Sequence, residues 1–385
     1  MNFTKIAVSA GCILALCAGC GANDTSSTKE KASSEKSGVT KEISASVNKM
    51  ETIISKLNDS AEKGDQKEIE KKGKELNSYW LSFENDIRSD YPFEYTEIEK
   101  HLQPIYTEAQ KDKPDTAKIK TESESLKASL EDLTEAKKSG KKASDQLAKA
   151  ADEYKGYVKE QSDQLVKATE AFTSAVKSGD IEKSKTLYAK ARVYYERIEP
   201  IAESLGDLDP KIDARENDVE EGAKWTGFHK LEKAIWKDQD ISGEKATADQ
   251  LLKDVKKLDG SIQSLKLTPE QIVAGAMELL NEAGISKITG EEERYSRIDL
   301  VDLMANVEGS EAVYQTVKSA LVKDHSDLTE KLDTEFSEFE VLMAKYKTND
   351  QSYTSYDKLS EKQIRELSTK LTTLSETMSK IANVL

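Results

Sequence analysis

Glu361 to Leu385, EKQIRELSTKLTTLSETMSKIANVL, is the stretch that decides the fold. Its apolar residues Ile364, Leu367, Leu371, Leu374, Met378, Ile381 and Leu385 alternate in steps of three and four. That spacing is a heptad seam, a helix with one face turned to other helices. The same rule runs through Tyr154, Val158, Leu165, Ala168, Phe172 and Ala175, with Gln161 as the one polar interruption. Thr268-Pro269-Glu270-Gln271 spells a helix start: threonine caps, proline takes the first turn and glutamine closes a capping box. Gly284 is placed to stop that helix. No stretch alternates as a strand does. The expected fold class is all-α, built as helical bundles.

Composition agrees. All six prolines lie between Pro92 and Pro269, and the flanking runs are rich in Ala, Glu, Lys, Leu and Ser. Proline breaks helix interiors, so its absence there permits long helices. Charged residues make up 34% of the chain and the net charge is −15. That balance argues against a nucleic-acid partner, because a phosphate backbone demands surplus Lys and Arg. It suits cations or a basic partner, and it also serves plain solubility.

The N-terminus reads as a targeting segment. Lys5 is its positive charge, and Ile6 to Leu16 is an apolar stretch too short to span a bilayer. It ends in Cys17-Ala18-Gly19-Cys20. Small residues before a cysteine fit a lipoprotein signal over residues 1–19, with Cys20 as the acylated first residue of the mature chain. Residues 20–38, rich in Ser, Thr and Lys, read as a flexible tether. Cys12, Cys17 and Cys20 are the only cysteines. The mature body therefore offers no disulfide, thiolate metal site or cysteine nucleophile. The basic Lys-Lys-Ser-Gly-Lys-Lys break at Lys137 to Lys142 divides an N-terminal helical domain, 39–140, from a larger one, 141–385.

A weak internal repeat links the two. Gly64-Asp65 and Gly179-Asp180 each precede a helix, and superposing these turns places Trp80 on Tyr195, Glu84 on Glu199 and Leu81 on Glu196. Common origin and chance similarity of amphipathic helices remain equally open readings.

Three histidines exist: His101, His229 and His325. His229 and Glu232 are three apart, so on a helix they share a face and could meet one ion. A surface histidine beside an ion-pairing glutamate is the plain alternative. Glu196 and Glu199 share a face likewise. Two carboxylates so close repel unless a cation stands between them, and Arg192 or Arg197 could supply it as well as a metal. Gly206 to Glu216 reads as a turn-rich acidic loop, and Gly290 to Tyr295 as an acidic turn before a helix capped by Asp299. Glu84, Asp86, Glu94, Glu97 and Glu99, among Tyr79, Trp80, Phe83 and Tyr91, read better as a solvated hairpin face than as a second metal site.

In order along the chain stand Tyr195-Glu196-Arg197-Ile198-Glu199-Pro200, Gly206 to Asp209, Ile212-Asp213-Ala214-Arg215-Glu216, Trp225-Thr226-Gly227-Phe228-His229 with Glu232, Gly290-Glu291-Glu292 through Asp299, and Ala305 to Gly309. Together they resemble the imelysin-like (M75 peptidase) family, in its branch of lipoproteins from bacterial iron-uptake systems, over roughly Ser144 to Leu385. The resemblance implies helical bundles facing each other across a cleft. It also implies metal ligands at Glu196, Glu199, Asp213 and Glu292, with Glu291 as the alternative to Glu292. His229 and Glu232 are implied either as ligands or as supports. Where relatives often carry histidine this chain has Arg297, and it lacks the copper-binding domain that many of them carry at the N-terminus.

The function so implied is a monomeric iron-binding lipoprotein outside the cytoplasm, which captures Fe(III) and delivers it to a membrane permease. A haem peroxidase or ferrous oxidase of the same system would be a further partner. Carboxylates with at most one imidazole suit Fe(III), and could admit Mn, Zn or Cu. Crowded carboxylates hold protons more tightly when no ion is bound, so low pH should favour release. The competing reading is a metal-dependent peptidase. His-Glu-x-x-His, the helix such an enzyme uses, is missing, so no catalytic residue is expected.

Overall fold

The structure, a computed structural model, describes residues 39–137, 145–206, 208–219, 222–349, 352–382 and 384–385. Residues 1–38, with Cys20 and the tether, lie outside them, as does most of the expected boundary, at 138–144.

The N-terminal part holds α1 (Lys41–Lys63), α2 (Gln66–Leu81), α3 (Glu84–Asp90), α4 (Pro92–Ala109) and α5 (Thr116–Glu135). Four of these, α1, α2, α4 and α5, pack as a bundle. Met50, Ile54, Leu57, Leu76, Trp80, Ile98, Leu102, Leu126 and Leu130 fill its core, each fully shielded from solvent.

The second part begins with α6 (Asp145–Ser178) and α7 (Ile181–Glu196), followed by the short α8 (Leu208–Asp213) and α9 (Phe228–Glu232). It continues with α10 (Lys245–Ser264), α11 (Pro269–Ile285), α12 (Asp299–Leu321), α13 (Ser326–Ala344) and α14 (Glu361–Ala382). Its core is separate, with Tyr154, Phe172, Tyr188, Phe228, Leu258, Tyr314 and Phe339 at its heart. The heptad seam sits where the spacing predicts. Leu367, Leu371, Leu374, Met378 and Ile381 are wholly buried, each contributing about 1.5–3 kcal/mol by burial. Gln161, the polar interruption in α6, accepts a hydrogen bond from the Arg197 guanidinium at 3.4 Å. A small antiparallel ribbon, β1 (Lys347–Asn349) with β2 (Ser352–Tyr353), interrupts the helices. Among the described residues no helix is long and apolar enough to cross a membrane.

The two Gly-Asp turns are geometric twins. Gly64 and Gly179 both adopt positive φ, at 65° and 81°. Asp65 and Asp180 each cap the next helix by accepting from the backbone N–H three residues on, and α2 and α7 are both 16 residues long. Trp80 and Tyr195 are both buried, but Leu81, at the position matching Glu196, is 52% exposed.

Thr268 and Gln271 form the capping box, and α11 ends at Ile285, one residue past Gly284, which packs on Leu371. Two local expectations change. Asp299 is the first helical residue of α12 rather than its cap; its Oδ1 accepts from the Glu293 N–H at 3.1 Å and holds the acidic turn instead. The acidic loop contains α8, because Leu208 and Ile212, four apart, both find the core. Proline at its third position is harmless in a first turn.

Candidate functional site

The site grows from the inner face of α7. Tyr188, Arg192, Tyr195 and Glu196 follow helical spacing into the interior, so the stripe that should be apolar carries a buried cation. Burying a charge is costly unless it is paired, and Arg192 is paired several times over. Its guanidinium reaches Asp302 and Glu293 at 3.1 and 3.2 Å, stands 3.7 Å from Glu292, and bonds directly to Glu196 and Asp213. Arg197, the other cation proposed for the glutamate pair, turns outward to Glu308 at 2.8 Å.

Glu196 and Glu199 share a second cation, Lys287. Its Nζ donates to both Glu199 oxygens at 2.6 and 2.7 Å and to Glu196 Oε2 at 3.2 Å. Asn306 Nδ2 donates to the same two carboxylates at 2.7 and 2.6 Å. Burial works against ionising Glu196, but Arg192 and Lys287 outweigh it and hold the carboxyl down at about 2. For Glu199, burial and the neighbouring Glu196 charge prevail over Lys287 and push its value well up.

The histidine is placed by a glycine. Gly227 sits at φ +93°, and a Cβ there would overlap the Ile212 carbonyl. Only glycine lets the start of α9 press against the end of α8. Two bonds fix the contact: Trp225 Nε1 to the Ala214 carbonyl at 2.7 Å, and Thr226 Oγ1 to the Lys211 carbonyl at 2.9 Å. His229 therefore faces Asp213.

Glu232 holds the other edge of the imidazole. Its Oε2 lies 3.3 Å from Nδ1, while Oε1 accepts the N–H groups of Tyr295 and Ser296, both at 2.7 Å. A carboxylate accepting at Nδ1 leaves Nε2 as a lone pair. His229 Nε2 is buried without a hydrogen-bond partner. It lies 3.6 Å from Asp213 Oδ1 and 3.9 Å from Glu292 Oε1. Two metal–ligand bonds of about 2.1 Å span about 4.2 Å, so one ion could touch Nε2 and either oxygen without rearrangement.

Asp213, His229 and Glu292 form one of two groups, among the described residues, whose ligand atoms lie within 4.8 Å of one another; the second is His229, Glu232 and Glu293. That second group is already engaged, since Glu293 accepts from Tyr188 at 2.9 Å and from Ser296. Glu196 and Glu199 fall in neither group. Of the two glutamates left open in the acidic turn, Glu292 points inward and Glu291 pairs outside with Arg294. Glu292 Oε2 accepts from Arg215 at 3.2 Å, which leaves Oε1 toward the histidine.

A cleft of ≈ 500 Å³ opens above this floor. Glu199, Asp213, Lys287 and Glu292 line its base, and Pro92 and Tyr95 of α4 form part of its opposite wall. His101 is occupied elsewhere, at 2.9 Å from Glu122, and His325 precedes α13. In the Trp80 to Glu99 region the carboxylates form no ligand group among the described residues. Glu99 there accepts from Trp80 Nε1 and from Gln103 at 2.9 Å.

Sequence reasoning missed Lys287, Glu293 and Asp302. Lys287 opens a short turn after α11 and Asp302 lies in the first turn of α12, positions where a charged side chain ordinarily reaches solvent and so gives no signal of burial. Asn306 lay inside a quoted motif, yet nothing in its neighbours points to Glu196.

Helical bundles, a carboxylate-rich floor and one buried imidazole define a class: an all-helical protein with an oxygen-rich site suited to a hard cation. The imelysin (peptidase M75) family model matches residues 150–381, and the chain belongs to the imelysin family. It is 98% identical over the full length of both chains to "Iron uptake system component EfeM" of Bacillus subtilis. It is 43% identical over 242 residues to an "Efem/EfeO family lipoprotein" of Staphylococcus haemolyticus, covering 62% of this chain and 84% of that one. A Staphylococcus aureus protein of the same name is also 43% identical, over 253 residues, 65% of this chain and 88% of that one.

Proposed function

We propose that the protein is a lipid-anchored iron-binding component of an iron-uptake system, which takes up Fe(III) outside the cytoplasm and passes it to a membrane permease. The observation that carries this reading is the buried, unpartnered Nε2 of His229 facing Asp213 and Glu292. An apolar or hydrogen-bonded neighbour would complete an ordinary core histidine; here two carboxylate oxygens take that place. Two carboxylates and one neutral imidazole suit a hard trivalent ion, and the same site would also admit Zn, Cu or Mn. Glu232 orients the imidazole. The relatives' names, an iron-uptake component and lipoproteins, support the cargo and an anchor at Cys20. A monomer served by a haem peroxidase or ferrous oxidase completes the proposal.

The reading is non-enzymatic. A metallopeptidase needs a carboxylate free to act as base on a metal-bound water, and both Glu232 oxygens are already engaged, by backbone N–H groups and by His229.

Titration of the purified protein with Fe(III) as a weak chelate, Fe(II), Zn(II) and Cu(II) tests the proposal. Binding should be lost in Asp213→Ala combined with His229→Ala. A double variant that kept the parent's affinity would overturn the ligand assignment.

A further inference from the structure

We propose that Lys287 is a built-in cation that closes the Glu196–Glu199 pair to metal and limits the chain to a single ion at His229; this rests on the metal-binding reading above. Three carboxylate oxygens converge on Lys287 Nζ, at 2.6, 2.7 and 3.2 Å. Such convergence is what a metal ion would require, and an ammonium stands in the ion's place. Asn306 adds an N–H donor to both carboxylates, where a metal site would need a further acceptor.

The charges close as well. Glu196 stays ionised between Arg192 and Lys287, while Glu199 holds its proton more tightly than an ordinary carboxyl, so the pair presents little unbalanced negative charge to a second ion. A second ion would have to expel a buried ammonium, since Lys287 is only 4% exposed. The lysine cannot easily swing away, because its backbone belongs to a pinned turn. Gly290 N–H donates to the Lys287 carbonyl at 3.1 Å, Tyr356 Oη donates to the Ile288 carbonyl, and Arg297 Nη1 donates to the Gly290 carbonyl at 2.7 Å. The contrast with His229 lies in the ring nitrogen: Asp213 Oδ1, which also accepts from Arg192, and Glu292 Oε1 stand beside a buried Nε2 that has no hydrogen-bond partner and is open to an ion. Lys287 Nζ also stands 3.6 Å from Glu292 Oε1, so its charge lies between the two acidic groups.

The test counts ions. Full-length protein in detergent is titrated with Zn(II), and with Fe(II) under nitrogen, at mildly alkaline pH, with calorimetry and elemental analysis of the gel-filtered complex. The parent should hold one ion per chain and Lys287→Met two. A parent that holds none overturns the metal-binding reading itself. A parent that holds one beside a Lys287→Met variant that also holds one overturns only the role of Lys287, as does a parent that already holds two. Should Lys287→Met fail to fold, anomalous diffraction from metal-soaked parent crystals decides. One peak beside His229 with Nζ still on Glu199 supports the proposal, and a peak between Glu196 and Glu199 refutes it.

Discussion

Replacing Glu232 by glutamine changes one atom and reverses the polarity of one hydrogen bond. In the parent, both backbone donors, Tyr295 and Ser296, point at Oε1, and His229 Nδ1 faces Oε2. A glutamine can keep its carbonyl at the Oε1 position and so retain both 2.7 Å bonds. Its amide nitrogen then replaces Oε2 and presents a donor to Nδ1. The imidazole must move its proton to Nε2 or lose the contact, and a protonated Nε2 cannot bind metal. Losing a partner of this kind lowers metal affinity about 10–100-fold, or about 1.4–2.7 kcal/mol. The stability cost follows from two bonds changing from charge-assisted to neutral, about 1–3 kcal/mol in all. Calorimetric titration with Zn(II), beside a urea melt, separates the two effects. If Glu232→Gln bound the ion with the parent's affinity, Nε2 would not be a ligand and the tautomer argument would fall.

Acid should release the ion. Burial raises Asp213 above its ordinary value against the pull of Arg192; burial lowers His229, but Asp213 and Glu232 outweigh it and leave it raised. Protons thus compete from higher pH than usual, so affinity should fall steadily from neutral pH downward, and a flat affinity profile would contradict this. Arg192→Met strands the carboxylates gathered around a fully buried guanidinium, and should cost about 3–5 kcal/mol in a denaturant titration; an unchanged midpoint would show that they neutralise themselves. Burial pushes Asp299 up from 3.8 to about 7, so between those values the folded chain keeps a proton that the unfolded chain releases. Its contribution therefore worsens as pH rises through that window, and Asp299→Asn, which keeps the acceptor for Glu293, should gain on the parent as pH rises from acid to neutral. Equal melting temperatures across the range would refute the shift.

The helices were legible because burial writes itself into spacing. Every residue of the seam from Leu367 to Ile381 points inward, and the capping box at Thr268 forms as the residues suggest. Local signals failed where a distant element decides the outcome. Asp299 looks like a cap, but the turn at Glu293 takes its oxygen. The site divides in the same way. Short spacing on one helix correctly paired His229 with Glu232. That Asp213 and Glu292 meet Nε2, while Lys287 takes Glu196 and Glu199, depends on segments up to 91 positions apart in the chain. Two carboxylates at a spacing of three cannot announce whether their cation will be a metal or a lysine.

The cleft is lined by Glu199, Asp213, Lys287 and Glu292 of the second helical part and by Pro92 and Tyr95 on α4 of the first. Substitutions that repack the first bundle, at Ile98 or Leu102 for example, can therefore reshape the entrance while leaving the histidine and its carboxylates untouched. On the metal-binding reading, access to the ion and the grip on it therefore rest on different sets of helices.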